Sequence, residues 1–328
     1  MMLKNMPVFY RKQSTPFSAN QQKGVAIITA LLIVTIAVTI SITISTQLQL
    51  DVRRTGNLIA QDQADFYLLA AEEWSRRILK QDKEDSAIDD LSENWAMQLP
   101  PLPVAGGSIQ GKLTDLQACI NINSLVGNNA VNATTQARLN QLFKNLGITD
   151  NLTQAITDWI DSDQETTSPN GAEDGYYLNL DKPYRTANTS LHSISELRLI
   201  KGFEDSKIFR LIEPHVCAFA TGSKDISINV NTASAEVLKS LSAEMSDELA
   251  KEIIDCRDKE PFKNLKEFTS CAKLETIIKD TTKLSTSSDF FLLRTQAIIG
   301  QANKIMYSVI HRDEAGKTEV ISRSQRTL

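Results

Sequence analysis

The chain has 328 residues, 41% hydrophobic and 23% charged, the proportions of an ordinary folded protein rather than a disordered one. Its formal charge is −5, and Lys4, Arg11, Lys12 and Lys23 face no acid within residues 1–24, so everything after Gly24 carries −9, with 31 basic against 40 acidic residues. A body that negative repels nucleic acid and anionic headgroups, because phosphate contacts need a surplus of Lys and Arg.

Gly24–Leu50 holds no charged residue. Its apolar core, Val25–Ile44, spans about 30 Å as a helix, enough to cross a bilayer as a 25–47 segment. The upstream basic cluster orients the N-terminus toward the cytoplasm and the rest outside. The stretch is too long for a cleaved secretory signal, and Ser41–Gln47 offers no A-x-A site. A plain signal anchor is one reading. The other rests on Lys23-Gly24 followed directly by the apolar run at Val25, which resembles a prepilin leader. That resemblance implies a leader at 1–24, cleavage between Gly24 and Val25 by a prepilin peptidase, and N-methylation of Val25. Pilins carry Glu at the fifth mature position; here it is Thr29. A carboxylate in lipid needs a partner, and in pilus assembly that partner is the amine of the subunit ahead. A chain lacking it fits best where no subunit lies ahead, so Thr29 points to a filament tip.

Residues 48–80 read as an amphipathic continuation of the same helix, with Leu50, Leu58, Phe66, Leu69 and Trp74 as its apolar positions and Gly56 as a possible bend. A Pro/Gly-rich break follows at Leu99–Gly107. Segments 105–124 and 215–222 read as strands of a pilin-like sheet. An inserted α-helical domain is expected over 125–214, with helices at Thr135–Leu146, closed by Gly147, and Asn151–Ile160, capped by Thr149 or Asp150. A second helical unit spans 225–283. Residues 288–328 alternate as an antiparallel meander with turns at Gly300 and 313–316. The fold class is α+β: a long N-terminal helix packed on an antiparallel sheet, with a large helical insertion.

The order and spacing of DWID-x-D from Asp158, GAED-x-YY, PYR-x-AN and S-x-SELRLIKG, then INVNTASAEVLKSL at 228–241, resemble the type II secretion K family. The resemblance covers nearly the whole chain. It implies a minor pseudopilin at the tip of a short periplasmic filament, anchored in the inner membrane by one span and in contact with membrane lipid. It also implies the minor pseudopilins I and J as partners alongside other pseudopilins, and bound structural calcium. A membrane-anchored periplasmic scaffold outside secretion is the alternative. Asp161, Asp163 and Glu165 alternate in an acidic loop, with Asn170, Glu173 and Asp174 close behind and Asp158 at the preceding helix end. Calcium takes 6–8 hard oxygens from such loops, although no EF-hand register is present. A solvated acidic loop is the alternative on residues alone.

Residues 231–268 resemble a helix–hairpin–helix or SAM-like unit, echoed at 195–203. The hairpin, Ser242–Ser246, has no glycine and puts Glu244 where a phosphate would approach, so the fold reads as retained and the phosphate site as lost. Asn231 and Thr232 read as a cap or turn. No catalytic fingerprint occurs, so an enzyme is not expected. The four cysteines allow three pairings; Cys119–Cys217 and Cys256–Cys271 are expected, the second closing a short helical loop.

Overall fold

The computed structural model describes residues 22–98, 100–127, 130–149, 151–220, 226–278 and 280–325. Most of the 1–24 leader, Asp150, and the last three residues of the expected meander lie outside these. The chain divides into a unit ending at Ile59 and a unit from Ala60 to Leu328.

In the first unit every described residue belongs to helix α1 (Gln22–Asp85), which runs through Gly56 without a break. The helix is long and apolar enough to cross a membrane. Its hydroxyls bond back along the helix: Thr39 donates to the Thr35 carbonyl (3.0 Å), Thr43 to that of Thr39 (2.8 Å) and Thr46 to that of Ile42 (2.7 Å). Such bonds satisfy these hydroxyls within the helix, as a segment crossing lipid requires.

The second unit continues with α1 and then β1 (Leu102–Val104), β2 (Gly107–Asp115), β3 (Ile120–Asn121), β4 (Val126–Gly127) and β5 (Ala130–Val131). Helices α2 (Ala133–Asn145), α3 (Leu152–Ile160), α4 (Asp174–Tyr177) and α5 (Ser206–Ile212) follow. Next come β6 (Val216–Cys217), β7 (Ile228–Asn229), α6 (Ala235–Lys239), α7 (Asp247–Lys259), α8 (Leu265–Ser270) and β8 (Leu284–Ser285). Strands β9 (Phe290–Ile299), β10 (Ala302–Arg312) and β11 (Thr318–Gln325) close the chain.

Five strands form an antiparallel sheet in the order β1-β2-β9-β10-β11. The expected break at 99–107 contains β1, and glycine is required at the tip of its hairpin: a Cβ at Gly107 would collide with the Ile298 carbonyl. Residues 215–220 do not join the sheet, and the last two of the expected 215–222 strand lie outside the described residues. Strand β6 instead pairs in parallel with β3, because the chain leaves the sheet after Asp115 and Asn121 holds the Phe219 carbonyl (3.1 Å). The Cys119–Cys217 disulfide closes the same corner, and Cys256–Cys271 ties α7 to the end of α8.

The face of α1 that meets the sheet does not carry the apolar positions read from the sequence. Phe66 (72% exposed), Leu69 and Trp74 point outward, while Ala64, Leu68, Ala71, Ser75 and Leu79 are buried. Small side chains at Ala64, Ala71 and Ser75 let the helix approach the sheet closely, and Glu72 is buried with them. It accepts from Arg323 (2.8 Å) and Ser308 (2.5 Å) on β11 and β10.

Between β2 and β9 lies the helical insert. Asn132 caps α2 through the amides of Thr134 and Thr135. The residue at the N-cap of α3 is Asn151, without a side-chain capping bond, and not Thr149. Leu139 and Phe143 of α2, Ile156 of α3, Val237 of α6, Ile253 of α7 and Phe268 of α8 all belong to one apolar cluster. The two helical stretches expected as separate units therefore share a core.

Candidate metal centre

Helix α3 is buried on nearly every side, so the carboxylates at its end are drawn into the protein. Asp158 is fully buried, and its two oxygens share the Thr167 amide (3.2 and 3.1 Å). The returning loop crosses directly over it: a Cβ at Gly171 would run into Asp158 Oδ2 and the Thr167 carbonyl. Gln154 staples the loop, accepting from the Asn170 amide (2.9 Å) and donating to the Ser168 carbonyl (2.8 Å).

This path brings carboxylate oxygens of Asp161, Asp163 and Glu173 within 4.8 Å of one another. Glu173 is 4% exposed, and neither of its oxygens has a hydrogen-bond partner; Asp161 Oδ1 is likewise buried and unpartnered. Burial, then Asp158 and Asp161, push the Glu173 carboxyl up to about 7. Burial, then Asp163 and Asp158, push Asp161 up to about 6. Buried carboxyls with free lone pairs and like charges nearby are costly unless a cation joins them. Hard oxygens in a loop are the donor set calcium takes, so these residues fit that ion.

The other expected ligands are engaged differently. Asp174 accepts from Arg185 Nη1 (2.8 Å), the Thr186 amide (3.1 Å) and the Thr186 hydroxyl (3.0 Å), which holds the start of α4. Glu165 enters only through its amide, which donates to Asp163 Oδ1 (2.8 Å), and Asn170 through its amide to Gln154. Gly171, Thr167 and Gln154 escaped the sequence reading. Only Gly171 carried a signal, as the glycine of GAED.

A second acidic group, Asp82, Asp89 and Glu93, also gathers its oxygens within 4.8 Å. There the chain supplies its own cation. Arg312, 1% exposed, donates to Asp82 (2.8 Å), to both oxygens of Asp89 (2.5 and 2.7 Å), and to the carbonyls of Leu79 and Ser288. Its guanidinium also lies 4.8 Å from the centre of the Phe291 ring. Burial raises Asp82 to about 7 against the lowering bond from Arg312, and Glu93 adds to the rise.

Asn231 and Thr232 lie in a turn, as expected, but the helix cap is Ser234. Asn231 exchanges bonds with the Phe262 backbone (both 2.9 Å), and Thr232 donates to the buried Asp115 (2.5 Å). They pin the insert to itself and to the sheet. At the hairpin, Glu244 is exposed and Asp247 and Glu248 open α7, so this turn presents negative charge. Gly24 and Val25 lie in the first turns of α1, and the Thr29 hydroxyl donates to the carbonyls of Val25 and Ala26 (both 3.0 Å).

Two family profiles, both described as type II secretion system (T2SS) protein K, match residues 118–221 and 228–287. Type II secretion system protein K of Aeromonas hydrophila is 34% identical, spanning 93% of this chain and 98% of its own length. The protein of that name from Pectobacterium carotovorum is 32% identical over 93% of this chain and 96% of its own length. A chain from the crystal structure of the GspK-GspI-GspJ complex of the enterotoxigenic Escherichia coli type 2 secretion system superposes with a TM-score of 0.73. It covers 84% of this chain and all of that one at 24% identity, and so shares the fold. This chain belongs to the type II secretion system protein K family, minor pseudopilins that are structural parts of the secretion machinery rather than enzymes.

Proposed function

We propose that this protein is a calcium-bound minor pseudopilin that starts or caps the secretion filament from its tip. Its body stands in the periplasm, and the Val25 helix is its single inner-membrane span. A prepilin peptidase removes residues 1–24 between Gly24 and Val25, and Val25 is N-methylated. The observation that carries the tip reading is Thr29. Its hydroxyl is satisfied by its own helix, so it offers no charge to the amine of a subunit ahead. Partners equivalent to those named in the solved complex, the I and J pseudopilins, would pack on this helix within the lipid, where close apolar contact rather than charge drives association. Calcium held by Asp161, Asp163 and Glu173, with Asp158 beneath them, would lock the acidic loop onto α3 and stiffen the insert.

Mass spectrometry of the mature protein tests processing: the expected N-terminus is methylated Val25, and any other rejects the leader assignment. Thr29→Glu tests position. The expected outcome is a subunit no longer confined to the filament end in cross-linking, and unchanged assembly and position would reject the tip.

A further inference from the structure

Strand pairing in the C-terminal sheet sets two cations side by side. Lys112 of β2 stands directly opposite Arg294 of β9, and Arg294 is in turn opposite Tyr307 of β10. Cross-strand partners share one face of a sheet, and like charges directly opposite are destabilising. Lys112 is exposed and Arg294 half-buried, and among the described residues neither has an acidic partner, although the chain carries an excess of acid. By contrast, Lys304 and Arg323 on neighbouring strands are each paired, with Asp65 and Glu72. One register step along, Gln110, Gln296 and Asn303 hydrogen-bond in a row (2.7 and 2.9 Å), which continues the face with amide donors and acceptors. Tyr307 also lines a cleft of about 570 Å³ between the sheet and the insert. Across that cleft lie Ser195 and Arg198, the latter exposed and, among the described residues, held only against the Phe209 ring (5.9 Å). Glu213 is the one exposed acid there; the carboxylate of Asp115, also on the wall, is taken by Thr232, Ser288 and Gln117.

We infer that this face, Lys112 and Arg294 continuing past Tyr307 to Arg198, is a docking surface for an extended acidic segment of a partner polypeptide. Carboxylates of such a segment supply the missing countercharge. A phosphate polymer fits less well, because it offers only acceptors to the amide row of Gln110, Gln296 and Asn303, whereas a peptide backbone brings both donors and acceptors.

The test is fluorescence anisotropy of labelled deca-glutamate with the full chain in detergent. Saturable binding is expected. It should weaken with added salt and fall at least tenfold in the K112E/R294E double variant, while Lys251→Glu on exposed α7 leaves it unchanged. Should the double variant fold poorly, Lys112→Glu alone serves. It places opposite charges across the strands, so its melting temperature should hold or rise while peptide binding still falls. Any of four results overturns the proposal: no saturable binding, equal binding of deca-glutamine, unchanged binding in the variants, or displacement by tripolyphosphate at lower concentration than by unlabelled peptide.

Discussion

Two acidic groups of similar composition sit in this molecule, and they are balanced in opposite ways. Asp82, Asp89 and Glu93 gather around Arg312, which the last long hairpin carries into the core. Among the described residues, Asp161, Asp163 and Glu173 gather around no side-chain cation, and the most buried of them has no hydrogen bond. The first group is complete once the chain has folded. The second, on the function proposed above, is completed by an ion, so stability at one place is internal and at the other is conditional. Carboxylate count does not distinguish them; the resident guanidinium does.

The largest expected effect breaks the first group. Arg312→Met strands Asp82 and Asp89 without their cation, and removing one partner of a buried pair costs about 3–5 kcal/mol. Urea unfolding should show that loss with or without calcium. Glu173→Gln sharpens the contrast from the other side. It removes a buried like charge, so the calcium-free protein should be as stable as before or slightly more so. The gain from calcium, about 2.7 kcal/mol at a hundredfold excess over Kd, should vanish. A variant that still gains it would remove Glu173 from the site.

pH separates the groups further. Glu173 and Asp161 are raised to about 7 and about 6 in the fold, above ordinary carboxyl values of about 4.3 and 3.9. The folded state therefore binds more protons than the unfolded one. Their contribution is fully present below pH 4 and is lost as pH rises toward 7. Asp82 slopes the same way, so the informative quantity is the melting temperature with calcium minus that without. It should be near zero at pH 5 and grow toward pH 7.5, and in Glu173→Gln it should stay flat. The smallest effects are expected at Glu165→Gln and Asp174→Asn. Calcium affinity should change less than threefold in both, because Glu165 contributes its amide and Asp174 faces Arg185 and Thr186.

Much of this was legible in the sequence. The uncharged span, the terminal meander, the insert and the carboxylates of the acidic loop all show as composition, alternation or spacing. What stayed hidden has physical causes. Hydrophobicity marks Phe66, Leu69 and Trp74 as apolar positions of α1 without telling which face turns inward, whereas close packing on a sheet selects Ala64, Ala71 and Ser75 and tolerates Glu72 beside Arg323. Spacing offered Asp174 and Glu173 equally as ligands, and only the fold shows that Arg185 and Thr186 occupy one and nothing occupies the other. Asn231 and Thr232 read as a turn because their partners, Phe262 and Asp115, are far away in sequence.

Isothermal titration of calcium into the full-length protein, stripped with EGTA and held in detergent at pH 7.5, tests the conditional group most directly. Saturable binding accompanied by a rise in melting temperature, both abolished in Glu173→Gln, is the expected result. No heat and no thermal shift at millimolar calcium would contradict it.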